Sequence, residues 1–114
     1  MLPSIYRLTK PQDFTQIYKK GHHLSSPHLR LSFLKSGQNV TRFGFVVSKK
    51  QVSRIVDRNR IKRVLRDAIG KSRVRIPLGY NVVIQARPGT NPRAAPELRW
   101  ELQELLKKAQ LQKT

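Results

Sequence analysis

Apolar residues first recur in this chain at helical spacing: Phe14, Ile17 and Tyr18 share one face of the stretch that follows Pro11. Thr9 is a candidate N-cap, Pro11 suits the first turn, and Gly21 is placed to end the helix. The period then changes. In "HLRLSFL", residues 28–34, Leu29, Leu31 and Phe33 alternate with Arg30 and Ser32, the pattern of a half-buried strand. "SGQN" at 36–39 supplies a turn, and "RFGFVVS" at 42–48 sends Phe43, Phe45 and Val47 one way and Arg42, Gly44 and Val46 the other. The two runs are expected to pair as a hairpin.

Helical spacing returns in "DRNRIKRVLRDAIG", residues 57–70. Ile61, Val64, Leu65, Ala68 and Ile69 gather on one side, and Arg58, Asn59, Lys62, Arg63 and Arg66 on the other. Ser53 is a candidate cap and Gly70 a candidate stop. A polar connection, "KSRVRIPLG" (71–79), leads to "YNVVIQA" (80–86), whose unbroken apolar run predicts a strand covered on both faces. After the loop "RPGTNP" (87–92), Pro96 opens a last helix with Leu98, Leu102, Leu105, Leu106 and Ala109 as its core stripe and Trp100 on the opposite side. With no repeat, low-complexity tract or linker, residues 1–114 are expected to form one domain, with 110–114 frayed. The class is α+β: a two-layer sandwich with a small mixed sheet, in the order α-β-β-(β)-α-β-α, where the bracket leaves room for one short extra strand.

Charge turns this outline toward function. Lys and Arg number 24 against six acids, a formal net charge of +18, and neither 14–56 nor 68–96 contains an Asp or Glu. Such self-repulsion opposes compaction and points to a polyanionic partner. A membrane is disfavoured, because the longest apolar stretches, "FGFVV" and "NVVI", are short and strand-like. "MLPSIYRLTK" lacks the apolar block of a signal peptide, so a cytoplasmic location is expected. The absence of cysteine excludes disulfides and thiolate metal sites.

Catalysis by the chain itself would need paired carboxylates, an activated nucleophile or a metal cluster. The acids are scattered: Asp13 suits a helix N-terminus, Asp57 and Asp67 flank the cation block, and Glu97, Glu101 and Glu104 are expected to solvate the last helix. His22, His23 and His28 stand at a strand entrance, where neighbours point to opposite faces, so a shared metal is not expected; exposure or phosphate contact is. No catalytic and no metal-binding residue is assigned. The helix at 57–70 stands out instead, since its outer face prefers Arg to Lys and includes Asn59, a choice suited to hydrogen bonding with phosphates and base edges rather than to solubility alone. Ser48, Lys49 and Lys50 extend the same surface.

"RNRIKRVLRDAI" (58–69), preceded by a strand ending "VSKK" (47–50), resembles the signature of the protein subunit of bacterial ribonuclease P. The similarity spans most of the chain: "LTKPQDFTQIYKKG" (8–21) resembles that family's first helix and "YNVVIQAR" (80–87) its strand before the C-terminal helix. The resemblance implies a protein cofactor of a ribozyme. In that family an RNA subunit, with magnesium held mainly by the RNA and the substrate, cleaves the 5′ leader from precursor tRNA. The chain would thus be a subunit of an endoribonuclease whose catalytic centre is in RNA, with no dedicated metal site of its own. Its implied partners are ribonuclease P RNA and precursor tRNA, with no membrane and no obligate protein partner. By the same analogy Arg58, Asn59, Arg60, Lys62, Arg63 and Arg66 would contact the RNA subunit, and Phe14, Tyr18, Lys49 and Lys50 would line the cleft for the single-stranded leader. The family also implies a left-handed strand-helix-strand crossover, against the usual rule.

Two departures accompany the match. Ser32 stands where the family often has an aromatic residue facing the cleft, and "QVSRIVD" (51–57) lacks the usual glycine and is one residue longer. A ribosomal or other structural RNA-binding protein with no processing role would share the composition, and is separated only by the motif and the order of elements. A self-sufficient nuclease would require acids that converge in space.

Overall fold

The computed structural model describes residues 6–72, 76–91 and 94–109. Within them the periodicities become α1 (Pro11–Lys20), β1 (His22–Ser25), β2 (Leu29–Lys35), β3 (Arg42–Val46), α2 (Ile55–Ser72), β4 (Tyr80–Ala86) and α3 (Ala95–Lys108). β1 is the short extra strand. The four strands form one mixed sheet in the order β1-β2-β4-β3, with β1–β2 and β2–β4 antiparallel and β3–β4 parallel.

The expected hairpin between 28–34 and 42–48 does not form, because β4 is inserted between β2 and β3. The reason lies in β4 itself. Val82, Val83, Ile84 and Ala86 are all buried, and a strand apolar on both faces is best covered in the middle of a sheet. Thr41 holds the opened connection in place: its hydroxyl donates to Pro77 O at 2.6 Å and accepts from Tyr80 N at 3.2 Å, tying the entrance of β3 to the start of β4.

One sheet face carries the main core. Leu29, Leu31, Phe43, Val82, Ile84 and Ala86 meet Ile61, Leu65, Ala68 and Ile69 of α2 and Leu98, Leu102, Leu105 and Leu106 of α3. These two layers are the sandwich. Across the opposite face lies α1, whose Ile17 packs with Leu8 and Val83, flanked by Phe14, Leu34 and Val46. Just before it, Leu8 N donates to Phe43 O at 2.8 Å, so the N-terminal segment covers the outer edge of β3.

Some end signals act differently from expectation. Thr9 does not cap α1; Lys10 precedes the helix, makes no side-chain cap, and accepts from Asp13 N at 3.0 Å through its carbonyl. Ser53 lies outside α2, and Arg54 O accepts the early Arg58 N at 3.0 Å. Gly70 does not stop α2, which runs on to Ser72. Residues 110–114, expected to fray, lie outside the described residues, as do parts of the loops at 71–79 and 87–92. Glu101 is no solvating residue: it is 7 % exposed, accepts from His28 N at 2.8 Å and lies 3.3 Å from His28 Nδ1, so it fastens α3 to the β1–β2 turn.

Gly21 ends α1 as expected, but by lack of room rather than by a left-handed backbone. Its φ is −80°, its N–H bonds to Ile17 O, and a Cβ would stand 2.5 Å from Ile17 O and 2.7 Å from Phe33 O, both backbone atoms that cannot swing aside. Gly21→Ala should therefore lower stability by about 1–3 kcal/mol. Gly70→Ala, where a Cβ meets nothing within 4 Å, should raise it by about 0.5–1 kcal/mol. Urea unfolding of the two variants checks both signs, and a neutral Gly21→Ala would refute the packing described.

Candidate nucleic-acid interface

Phe14 and Tyr18 are one helical turn apart and so stand on one side of α1, and Phe14 packs against the cluster of Leu8, Ile17 and Val83. Phe14 can lie close because β3 has Gly44 beneath it: a Cβ there would come within 2.6 Å and 2.7 Å of the ring carbons. Tyr18 is 44 % exposed. Partial burial pushes its hydroxyl above the usual phenol range, opposed by the nearby Arg30 guanidinium. The phenol is accordingly neutral near pH 7 and offers a ring rather than a negative charge.

Strand register defines the ground around these rings. Ser32, Val83 and Gly44 form one row across this face, and Arg30, Gln85 and Val46 form the next. The first row is buried, whereas Arg30 is exposed and Gln85 and Val46 are half-buried. The row left half-open beside α1 is the candidate cleft. Lys49 and Lys50 are exposed in the turn that follows β3, at the Val46 end. Alternation along β2 put Arg30 on the opposite side from Leu29 and Leu31; that this side stays bare depends on where α1 crosses, which no local pattern encodes.

On α2 Ile61, Leu65, Ala68 and Ile69 are buried and Val64 half-buried, while Asn59, Arg60 and Arg63 are exposed and Lys62 and Arg66 half-buried. None of these cations pairs with Asp57 or Asp67. Arg58 differs, since its Nη1 donates to Val52 O at 3.0 Å and Ser53 O at 2.7 Å and so braces the turn before the helix. Ile55 and Val56, in the first turn, are exposed aliphatics that the sequence pattern did not single out.

Arg7 is a further residue that the pattern did not reveal. It lines a hollow of about 160 Å³ with Lys62 and Arg66, floored by Phe14, Gly44 and Phe45 and without a carboxylate in its wall. The Nε atoms of Arg7 and Arg66 are buried and make no hydrogen bond. Arg66 stacks its guanidinium 5.8 Å from the centre of the Phe45 ring. This hollow joins the cation stripe of α2 to the α1 cleft.

A larger apolar hollow, about 450 Å³, lies elsewhere, between the β1–β2 turn and α3, and is lined by Pro27, His28, Pro96, Glu97, Trp100 and Glu101. Its carboxylates would repel phosphate, which makes it the poorer RNA site despite its size. Among the described residues no group of three or more His, Asp or Glu is placed to hold a metal ion, and no helix is long and apolar enough to cross a membrane.

A family model described as Ribonuclease P matches residues 2–110. The chain belongs to that family. It is 35 % identical over 111 residues to the ribonuclease P protein component of Clostridium kluyveri, covering 96 % of this chain and 98 % of the relative. The Microcystis aeruginosa component is 35 % identical over 114 residues, with 96 % and 95 % covered. Among solved structures, the Staphylococcus aureus RNase P protein superposes with a TM-score of 0.87 at 29 % identity, over 95 % of this chain and 98 % of that one. The Thermotoga maritima protein gives 0.77 at 28 %, over 90 % and 96 %.

Arg58 and Arg60 sit in the same basic block yet are used differently by the fold. Arg58→Ala should lower stability by about 1 kcal/mol, because its two hydrogen bonds to carbonyls of the turn disappear. Arg60→Ala should stay within about 0.5 kcal/mol of the parent. Equal unfolding midpoints in urea would show that Arg58 does not brace the turn in solution.

Proposed function

We propose that this chain is the protein cofactor of a ribonuclease P ribozyme, gripping the RNA subunit with the outer face of α2 and the single-stranded 5′ leader of precursor tRNA in the α1 cleft. The observation that carries this reading is the convergence of two surfaces: cations on α2 without carboxylate partners, and an open sheet face bearing Tyr18 and Arg30, joined through Arg7, Lys62 and Arg66. Asn59, Arg60, Lys62, Arg63 and Arg66, with whatever Arg58 can spare from its turn, would neutralise phosphates and hydrogen-bond to the RNA subunit. Phe14 and Tyr18 would stack on unpaired leader bases, with Lys49, Lys50 and Arg30 taking their phosphates. The chain's part is binding and orientation: it holds the leader beside the RNA it also holds, in the cytoplasm. Leader hydrolysis and the magnesium that supports it belong to the RNA subunit and substrate.

The rival reading, a structural RNA binder without a processing role, explains the charge but gives no use to a ring-lined cleft. Reconstitution separates the two. Mixed with a bacterial ribonuclease P RNA, the protein should restore cleavage of precursor tRNA at low magnesium. Replacing Arg60, Arg63 and Arg66 together with Ala should weaken binding of the RNA subunit and flatten its salt dependence, by up to roughly 0.7–0.9 in the log–log slope for each phosphate left without its cation. Tyr18→Leu should remain folded and keep RNA-subunit affinity, but lose about 1–3 kcal/mol of preference for leader-bearing over mature tRNA. No restored cleavage would overturn the cofactor reading, and an unchanged preference would remove Tyr18 from the leader site.

A further inference from the structure

We infer that His23, on the edge strand β1, is a leader-specificity residue of the α1 cleft, offering its imidazole ring as a stacking surface above Ser32; the inference rests on the cleft reading just proposed. Ser32 is the cleft-facing residue in the middle of β2, and it cannot meet a ligand itself, being 2 % exposed. Its hydroxyl oxygen lies 2.7 Å from His23 Nδ1. The two residues are cross-strand partners in the β1–β2 register, so their side chains share one face of the sheet. The hydrogen bond orients the imidazole over the serine and leaves Nε2 and the ring face unused, while His23 itself is exposed.

The two adjacent histidines have different employment. His22 pairs with Phe33 and turns to the helix-covered face, its ring centre 5.3 Å from that of Phe33. That contact accounts for His22 as packing. His23, turned the other way, forms no ring pair with an aromatic residue among the described residues. What it does meet is the cleft. Arg30 lies two residues along β2 from Ser32 on the same face, which puts it diagonal to His23, at about 7–8 Å between backbones. Arg30 is also the cation that acts on the Tyr18 hydroxyl. Tyr18, Arg30 and His23 thus border one space, with Phe14 over Gly44 at the far end of the row.

Three strand spacings separate His23 on β1 from Gly44 on β3, a span of roughly 14 Å. That is room for several unpaired nucleotides. Rings at both ends of the span, and Tyr18 between them, would let successive bases stack along α1 while Arg30 takes a phosphate. A small residue on β2 and a ring on β1 place the aromatic surface farther toward the sheet edge than a ring on β2 would.

The test uses the reconstituted holoenzyme and compares affinities for precursor tRNA carrying a leader and for mature tRNA, at one fixed salt concentration. His23→Ala should reduce the preference for precursor by about 5-fold or more, the low end of the range for loss of one stacked base, with affinity for the RNA subunit unchanged. His23→Phe, which keeps a ring but cannot bond to Ser32, should retain most of the preference. His23→Asn, which keeps polar groups but no ring system, should behave like Ala. A parental preference in His23→Ala, alongside a loss in Tyr18→Leu, would overturn the assignment of His23 and leave the cleft standing. Retention by Asn with loss by Phe would overturn stacking in favour of a polar contact. If neither His23→Ala nor Tyr18→Leu changes the preference, the cleft reading fails and this inference fails with it.

Discussion

Two-sided burial of β4 is the constraint from which the rest of the molecule follows. Val82, Ile84 and Ala86 face the helices α2 and α3, while Val83 faces α1, and no edge position would cover both sets. Placing β4 in the middle separates β2 from β3 and makes β3–α2–β4 a parallel crossover unit. That crossover is why α2 is pressed on the sheet by one side only. Its inner stripe of Ile61, Leu65, Ala68 and Ile69 is held in the core, so Asn59, Arg60 and Arg63 on its other side are left facing solvent. One packing requirement in a strand with no charge at all therefore fixes the display of the most charged stretch in the chain.

The opposite sheet face shows what a small chain does when it cannot cover everything. α1 covers one row of the sheet, and the next row is left to Arg30, Gln85 and Val46. Gly21 and Gly44 set how α1 sits: the first lets the helix end against the backbone of β2, and the second lets the Phe14 ring reach the sheet. The cleft is thus the uncovered remainder of a packed face, and its floor is rigid because it is a sheet.

What could be read beforehand depended on how local the cause was. The helices at 57–70 and from Pro96, and the strand at 80–86, rest on periodicity within one segment, and all three formed, with Val64 and Ala109 only half-buried at the margins of the expected stripes. The pairing of β2 with β3 failed because short range favours a hairpin while the competing partner, β4, lies much farther along the chain from both and wins on burial. Glu101 was read as a solvated helix residue because its partner, His28, is 73 positions distant. For the candidate site, a helical wheel needs only its own segment to place Asn59 and Arg63 on an exposed face, but it does not show that Arg58 turns back to the carbonyls of Val52 and Ser53. Arg7 and Arg30 were not legible, because each owes its place to an element crossing from elsewhere. His23 was legible only by halves: alternation separates it from His22, but its nearness to Ser32 needed the β1–β2 register.

Charge and rings then divide the proposed work in a way the geometry makes natural. Cations that keep no carboxylate partner raise the energy of the free protein, and an RNA phosphate near Lys62 and Arg66 would relieve that repulsion and could fill the donors left open at Arg66 and Arg7. Affinity of this kind is shared by every phosphate chain and falls with salt. It cannot by itself distinguish a substrate with a leader from a product without one. Stacking is the term that can, because it needs an unpaired base and is much less sensitive to ionic strength. A cofactor that must hold one RNA permanently and release another after cleavage is served by keeping these terms on separate elements. Here the stripe proposed to bind phosphate belongs to α2 and the rings to α1 and its neighbouring strands, with the small hollow of Arg7, Lys62 and Arg66 as the place where the two surfaces meet.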